Sequence, residues 1–154
     1  MSNDSAVEQV QAGIGWVPVP VFTGGIVDGI VSGDGRGDGT ARLYATHTSV
    51  NTLKEFTFDG SWTNTTNISL PFVSYGALLL TDGRGDGSEH LYVEEFLLGG
   101  NTLEFTWDGV SWTPLALGAA GQQLIGAAVG DARGDGVKRV YSSGGFGVIE
   151  FTHQ

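Results

Sequence analysis

The sequence predicts an all-β fold built from three repeated sheet units, and three observations lead there. An acidic, glycine-punctuated segment is written three times: "SGDGRGDGTARLY" from Ser32, "LTDGRGDGSEHLY" from Leu80 and "VGDARGDGVKRVY" from Val129. Its leading aspartates, Asp34, Asp82 and Asp131, stand 48 and 49 residues apart. Between these segments, runs such as "LYATH", "KEFTF" and "LEFTW" alternate and are rich in aromatic and β-branched residues, the pattern of half-buried strands. No stretch carries apolar residues at the 3.6-residue spacing of an amphipathic helix.

A repeat of about 40–50 residues holding four short strands has the period of a β-propeller blade. The units span 15–60, 61–110 and 111–154, after a polar stretch, 1–14, expected to be a disordered tail. In the third unit the strands read "SWTPLAL", "LIGAAVGD", "KRVYSSG" and "VIEFTHQ". The second strand of a unit is rich in small residues, Gly76-Ala77 and Gly126-Ala127-Ala128, as suits the place where blades converge and room is shortest. His153-Gln154 falls where earlier units continue as "DGSW" or "DGVSW", and "GWVPVPVF" from Gly15 supplies that continuation. The N-terminal strand is therefore expected to be the outer strand of the last blade. Propellers have about 4–8 blades, and open strand edges invite unwanted pairing. Three blades per chain thus predict a homodimer closing a six-bladed ring, each N-terminal strand donated to the other protomer's last blade.

Composition bounds the function. At 154 residues the chain is one domain with room for a core. Its 26 glycines follow no collagen period, so they signal turns. A formal charge of −10 repels phosphate backbones and anionic lipids, which disfavours nucleic-acid binding and membrane docking. No apolar run reaches the roughly 18 residues of a membrane span, so no membrane insertion is expected. The absence of cysteine excludes disulfides and thiol catalysis without fixing a compartment. The first residues lack the basic and apolar regions of a signal peptide.

The repeated loop, "GDGRGDGTARLYA" in the first unit, resembles the FG-GAP/VCBS repeat of integrin-like propellers, whose loop wraps calcium with oxygens at its first, third, fifth and ninth positions. The resemblance implies a propeller with a metal loop. This chain keeps the first and fifth ligands as Asp34/Asp38, Asp82/Asp86 and Asp131/Asp135. The third becomes Arg36, Arg84 and Arg133, and the ninth Arg42, His90 and Arg139. A guanidinium can itself fork to two carboxylates, so the third-position arginine is expected to replace the ion as a structural staple, with no metal and no cofactor. A residual calcium site is the alternative. The letters RGD also spell an adhesion motif, but a repeated loop running straight into a strand is expected to be ordered and self-paired. A phosphate cradle would need a following helix and a lysine, and neither follows.

The second half of each unit, "RLY…KEFTFDGSW", "HLY…LEFTWDGVSW" and "RVY…IEFTHQ", resembles the blades of six-bladed fucose-binding lectins. There an arginine and a glutamate hydrogen-bond the sugar and tryptophans stack on it. The resemblance carries over Arg42, Glu55, Phe58 and Trp62 in the first unit, and His90, Glu104, Trp107 and Trp112 in the second. In the third it carries over Arg139, Glu150 and His153, with Trp16 closing the set across the split blade. Repetition around a ring would add avidity. The expected function is a non-catalytic, multivalent carbohydrate-binding module, with itself and glycans as partners. A structural or protein-interaction scaffold without a small-molecule site is the alternative. No histidine lies near a serine in a nucleophile motif and no metal spacing stands out, so no enzyme is expected.

Overall fold

The computed structural model describes residues 5–12, 15–23, 25–71, 75–96 and 99–153. Among them there is no α-helix; a 3₁₀ turn, Thr48–Val50, is the one helical segment. The first sheet is antiparallel in chain order: β3 (Val27–Gly33), β4 (Arg42–His47), β5 (Thr52–Phe58) and β6 (Trp62–Ser69). The second repeats it with β7 (Tyr75–Thr81), β8 (His90–Glu95), β9 (Asn101–Trp107) and β10 (Trp112–Ala119). The third has three strands, β11 (Leu124–Gly130), β12 (Arg139–Gly144) and β13 (Gly147–Phe151). Ahead of them β1 (Ser5–Ala12) and β2 (Gly15–Thr23) form a two-stranded hairpin.

Turn chemistry places these strands. The acidic loop joins the first and second strands of each sheet, and left-handed glycines recur at the same two places: Gly37 and Gly39, Gly85 and Gly87, Gly134 and Gly136. Asp-Gly pairs turn the outer hairpins, with Gly60 at φ 102° and Gly109 at φ 97°. The outer strands β6 and β10 therefore open one sequence unit while completing the sheet of the unit before.

The first two sheets pack face to face. Tyr44, Leu53 and Ile68 of the first meet Leu91, Val93 and Phe105 of the second, all nearly or fully buried. Each such side chain contributes about 1.5–3 kcal/mol by leaving water. The inner strands lie side by side, β3 against β7 and β7 against β11. A side chain at Gly29 would meet the Leu78 Cβ at 2.9 Å, so the small residues expected where sheets converge are needed there.

Two expectations change here. The stretch 1–14 is not a tail throughout, because Ser5–Ala12 forms β1. Its Glu8 precedes Trp16 by the interval that separates Glu104 from Trp112, and the register agrees: Glu8 lies opposite Val19 as Glu104 lies opposite Leu115. The hairpin thus has the register of the third and fourth strands of the second sheet, and it packs on the first sheet. Phe22 meets His47 and Phe56 with ring centroids 5.1 and 5.9 Å apart, and Lys54 lies 4.2 Å above its ring. Ile68, at the matching place in β6, does the same work between the first and second sheets. Within the chain, then, β2 completes no third sheet, and β13 pairs with β12 alone among the described residues.

Candidate functional site

The acidic loop folds on its own amides. Asp34 accepts the N–H groups of Asp38 and Gly39 at 3.1 and 2.7 Å. Asp82 and Asp131 repeat this with Asp86 and Gly87, and with Asp135 and Gly136. The first aspartate is thereby occupied, and the fifth takes a cation. Arg42 donates two bonds to Asp38 at 2.9 and 2.7 Å, and Arg139 two to Asp135 at 2.8 and 2.6 Å. These guanidiniums hold the Asp38 and Asp135 carboxyls well below the usual carboxylate range. In the second loop His90 stands 3.3 Å from Asp86 and bonds Thr106 through Nδ1 at 3.0 Å, while Lys138 reaches Asp82 at 2.9 Å. Among the described residues no cluster of three or more His, Cys, Asp or Glu is arranged to hold a metal.

The staple is therefore made by the ninth-position residue and not by the third, which corrects the sequence reading. Arg36, Arg84 and Arg133 turn out of the loop and pair with the third strand of their own sheet. Arg36 bonds both oxygens of Glu55 at 2.9 and 2.6 Å, Arg84 bonds Glu104, and Arg133 bonds Glu150 at 3.0 and 2.6 Å. The reason is electrostatic competition. Asp34 already holds two amides, whereas Glu55 and Glu104 are almost fully buried and need a cation close by.

Glu55 is the most saturated of these groups. It also accepts from Thr65 Oγ1 at 2.7 Å and from Trp112 Nε1 at 3.4 Å, an indole contributed by the next sheet. Arg42 Nε is 3.8 Å away, so the Arg42–Glu55 proximity suggested by the lectin resemblance exists, with both partners mainly engaged elsewhere. Arg139 Nε and Glu150 lie 3.4 Å apart in the same arrangement.

The aromatic residues sort by sheet. Phe58 and Trp62 lie across the β5–β6 pairing, 5.3 Å between centroids, with Phe58 exposed. Trp107 and Trp112 form the matching pair in the second sheet at 5.6 Å. Arg36 spans the two sheets, its guanidinium carbon 4.0 Å from the Trp107 ring centroid. Between β6 and the β9–β10 hairpin is a groove of about 480 Å³, whose lining includes Arg36, Thr66, Asn67, Trp107 and Trp112. A smaller cavity of about 200 Å³ separates the second and third sheets, bounded by Arg84, Glu104, Glu150 and His153. Trp16 falls in β2, and its side chain lies outside the described residues.

Thr65, Thr66 and Asn67 of β6 belong to this constellation but escaped the sequence reading, since no repeat marks them: β10 has Leu115 and Ala116 nearby instead. Glu8 escaped because Gln9 and Gln11 stand where Phe105 and Trp107 make the motif conspicuous.

Glu94 differs from the rest. It is fully buried in β8, neither of its oxygens has a hydrogen-bond partner among the described residues, and burial pushes its carboxyl up to about 7. The Ser142 hydroxyl of the third sheet acts in the opposite direction, but burial outweighs it. No helix among the described residues is long and apolar enough to cross a membrane. Compared with protein-family models, curated proteins and solved structures, the chain matches none.

Proposed function

We propose that this chain is a non-catalytic carbohydrate-binding module whose sheets are propeller blades, and that sugar binds in the groove between the first and second sheets. On this reading two copies close a six-bladed ring, so that the grooves repeat around it and act multivalently. The observation carrying the proposal is the pairing of Trp107 and Trp112 with Arg36, Thr66 and Asn67 along one groove of about 480 Å³. An indole face covers the apolar C–H patch of a pyranose, while a guanidinium, a hydroxyl and an amide address its hydroxyls.

The position of the groove shifts the residue roles expected from the lectin resemblance. Arg42 and Glu55 are saturated by protein partners and hold the site together, and Arg36 holds Glu55 and Thr66 through Nε and Nη2, leaving its Nη1 edge and the β6 side chains to address ligand. A glycan array with the intact protein and with Trp107→Ala is the test. Binding of one sugar class, weakened about tenfold or more by Trp107→Ala, is expected; tenfold corresponds to about 1.4 kcal/mol. Silence across the array, or binding indifferent to Trp107, would leave the scaffold reading.

A further inference from the structure

β1 and β13 occupy the same place in the repeat, and each lacks what the other has. β1 pairs with the outer strand β2 but, among the described residues, with no middle strand. β13 pairs with the middle strand β12 but, among the described residues, with no outer strand. Since Glu8 sits opposite Val19 as Glu104 sits opposite Leu115, the same register would set Glu150 opposite Val19 and Thr152 opposite Val17.

The surfaces are complementary in the same way. Trp62 Nε1 donates to Glu8 at 2.8 Å, the contact that Trp112 makes with Glu55 one sheet further on. Glu150, the matching carboxylate of the third sheet, accepts from no indole among the described residues. The surface around it is open. Val148 is 69% exposed where Leu53 is fully buried, and the Arg133 side chain is 60% exposed against 20% for Arg36.

We infer that β1 is a placeholder for the β13 of a second copy of this chain. On association β13 replaces β1 along the edge of β2 in the second copy, and Trp62 of that copy exchanges Glu8 for Glu150. The inference rests on the ring reading above and adds the strand that must leave. The third sheet then acquires the order of the first two, with β2 outermost. One antiparallel ladder replaces another, so backbone pairing is little changed. The gain is burial, because Val148, Tyr141 and the Arg133–Glu150 pair become covered as Leu53, Tyr44 and the Arg36–Glu55 pair already are. A second copy fits better than a foreign partner, since the face required is the one its own first sheet presents, with Phe56 in the position of Phe105. The exchange is reciprocal, so two identical contacts close the pair.

The chain has no cysteine, so crosslinks can be introduced cleanly. Directly opposed residues of antiparallel strands lie at Cα distances a disulfide accepts. Val17→Cys combined with Thr152→Cys should give a disulfide between chains, seen as a doubled band without reductant. Val17→Cys combined with Val10→Cys, opposed within the β1–β2 hairpin, should lock β1 in place. By light scattering the wild type should measure two chains, the locked protein one, and reduction of the locked protein should restore two, which separates locking from misfolding. No interchain disulfide, or a locked protein that still measures two chains, overturns the exchange. A one-chain wild type overturns the exchange and the ring together, leaving the sugar groove to be judged by the array.

Discussion

The first and third sheets carry the same Arg–Glu pair at the same place, yet the two pairs inhabit different environments. Glu55 is fully buried under Trp112 of the second sheet, whereas the Glu150 side chain is 23% exposed and its arginine is mostly in water. The chemistry written in the repeat is equal; its energetic consequence is not. An ion pair sealed from water becomes costly to break from one side, while one in solvent contributes little. What separates the two is the presence of a neighbouring sheet.

The most forceful way to sharpen this contrast is to remove the two glutamates in turn. Glu55→Ala leaves a guanidinium and an indole N–H without their acceptor and should cost about 3–5 kcal/mol in urea unfolding. Glu150→Ala should cost less than about 1 kcal/mol in the isolated chain. Equal losses would break the comparison.

Burial without a partner gives the next effect, at Glu94 between the second and third sheets. Its carboxyl ionises at about 7 in the folded chain and at about 4.5 when unfolded, so the native state holds the extra proton between these values. Stability should therefore fall as pH rises from about 4.5 to about 7 and then level off, by about 3 kcal/mol at most. Glu94→Gln should flatten that slope and raise the melting temperature at pH 8. A wild-type melting profile flat over this window would show that Glu94 is not sealed.

A third test uses the glycine after the leading aspartate. A side chain at Gly35 would meet Tyr44 Oη at 2.9 Å and Trp112 at 3.0 Å, and one at Gly83 would collide with the Tyr92 ring. The third loop has Ala132 at this place, and Tyr141, the counterpart of Tyr44 and Tyr92, is half-buried. Gly83→Ala should cost about 1–3 kcal/mol in thermal melts, and Ala132→Gly under about 1 kcal/mol. The smallest effect is expected from Arg42→Lys, which loses the two-pronged grip on Asp38. The Asp38 carboxyl is depressed by Arg42, so its stabilisation is present at neutral pH and lost as pH falls through the folded value. The variant should begin acid unfolding at a slightly higher pH, read by circular dichroism.

Much of the architecture was legible because the repeat is local. Strand alternation, Asp-Gly turns and paired left-handed glycines all act within a dozen residues, and they set the sheets, their strand order and the ordered acidic loops. The loop's saturated state was legible too, since cations stand where calcium ligands are expected. Which cation does the stapling was not. Arg36 is the nearer to Asp38 in sequence, two residues away against four for Arg42, yet the choice depends on Glu55, which β5 brings in from 19 residues beyond Arg36. Nor could β1 be read, because its glutamines hide a strand whose evidence is its register with β2 and the contact of Glu8 with Trp62, 54 residues away.

The sequence by itself determined the β-class, the period, the turns and the identity of the residues that recur. Only the tertiary structure decided which charges pair, which tryptophans line a groove, and which of three like faces is sealed. Backbone conformation answers to neighbours along the chain, whereas the strength of an ion pair and the usefulness of an aromatic surface answer to what excludes water from them, and that is set by the sheet packed opposite.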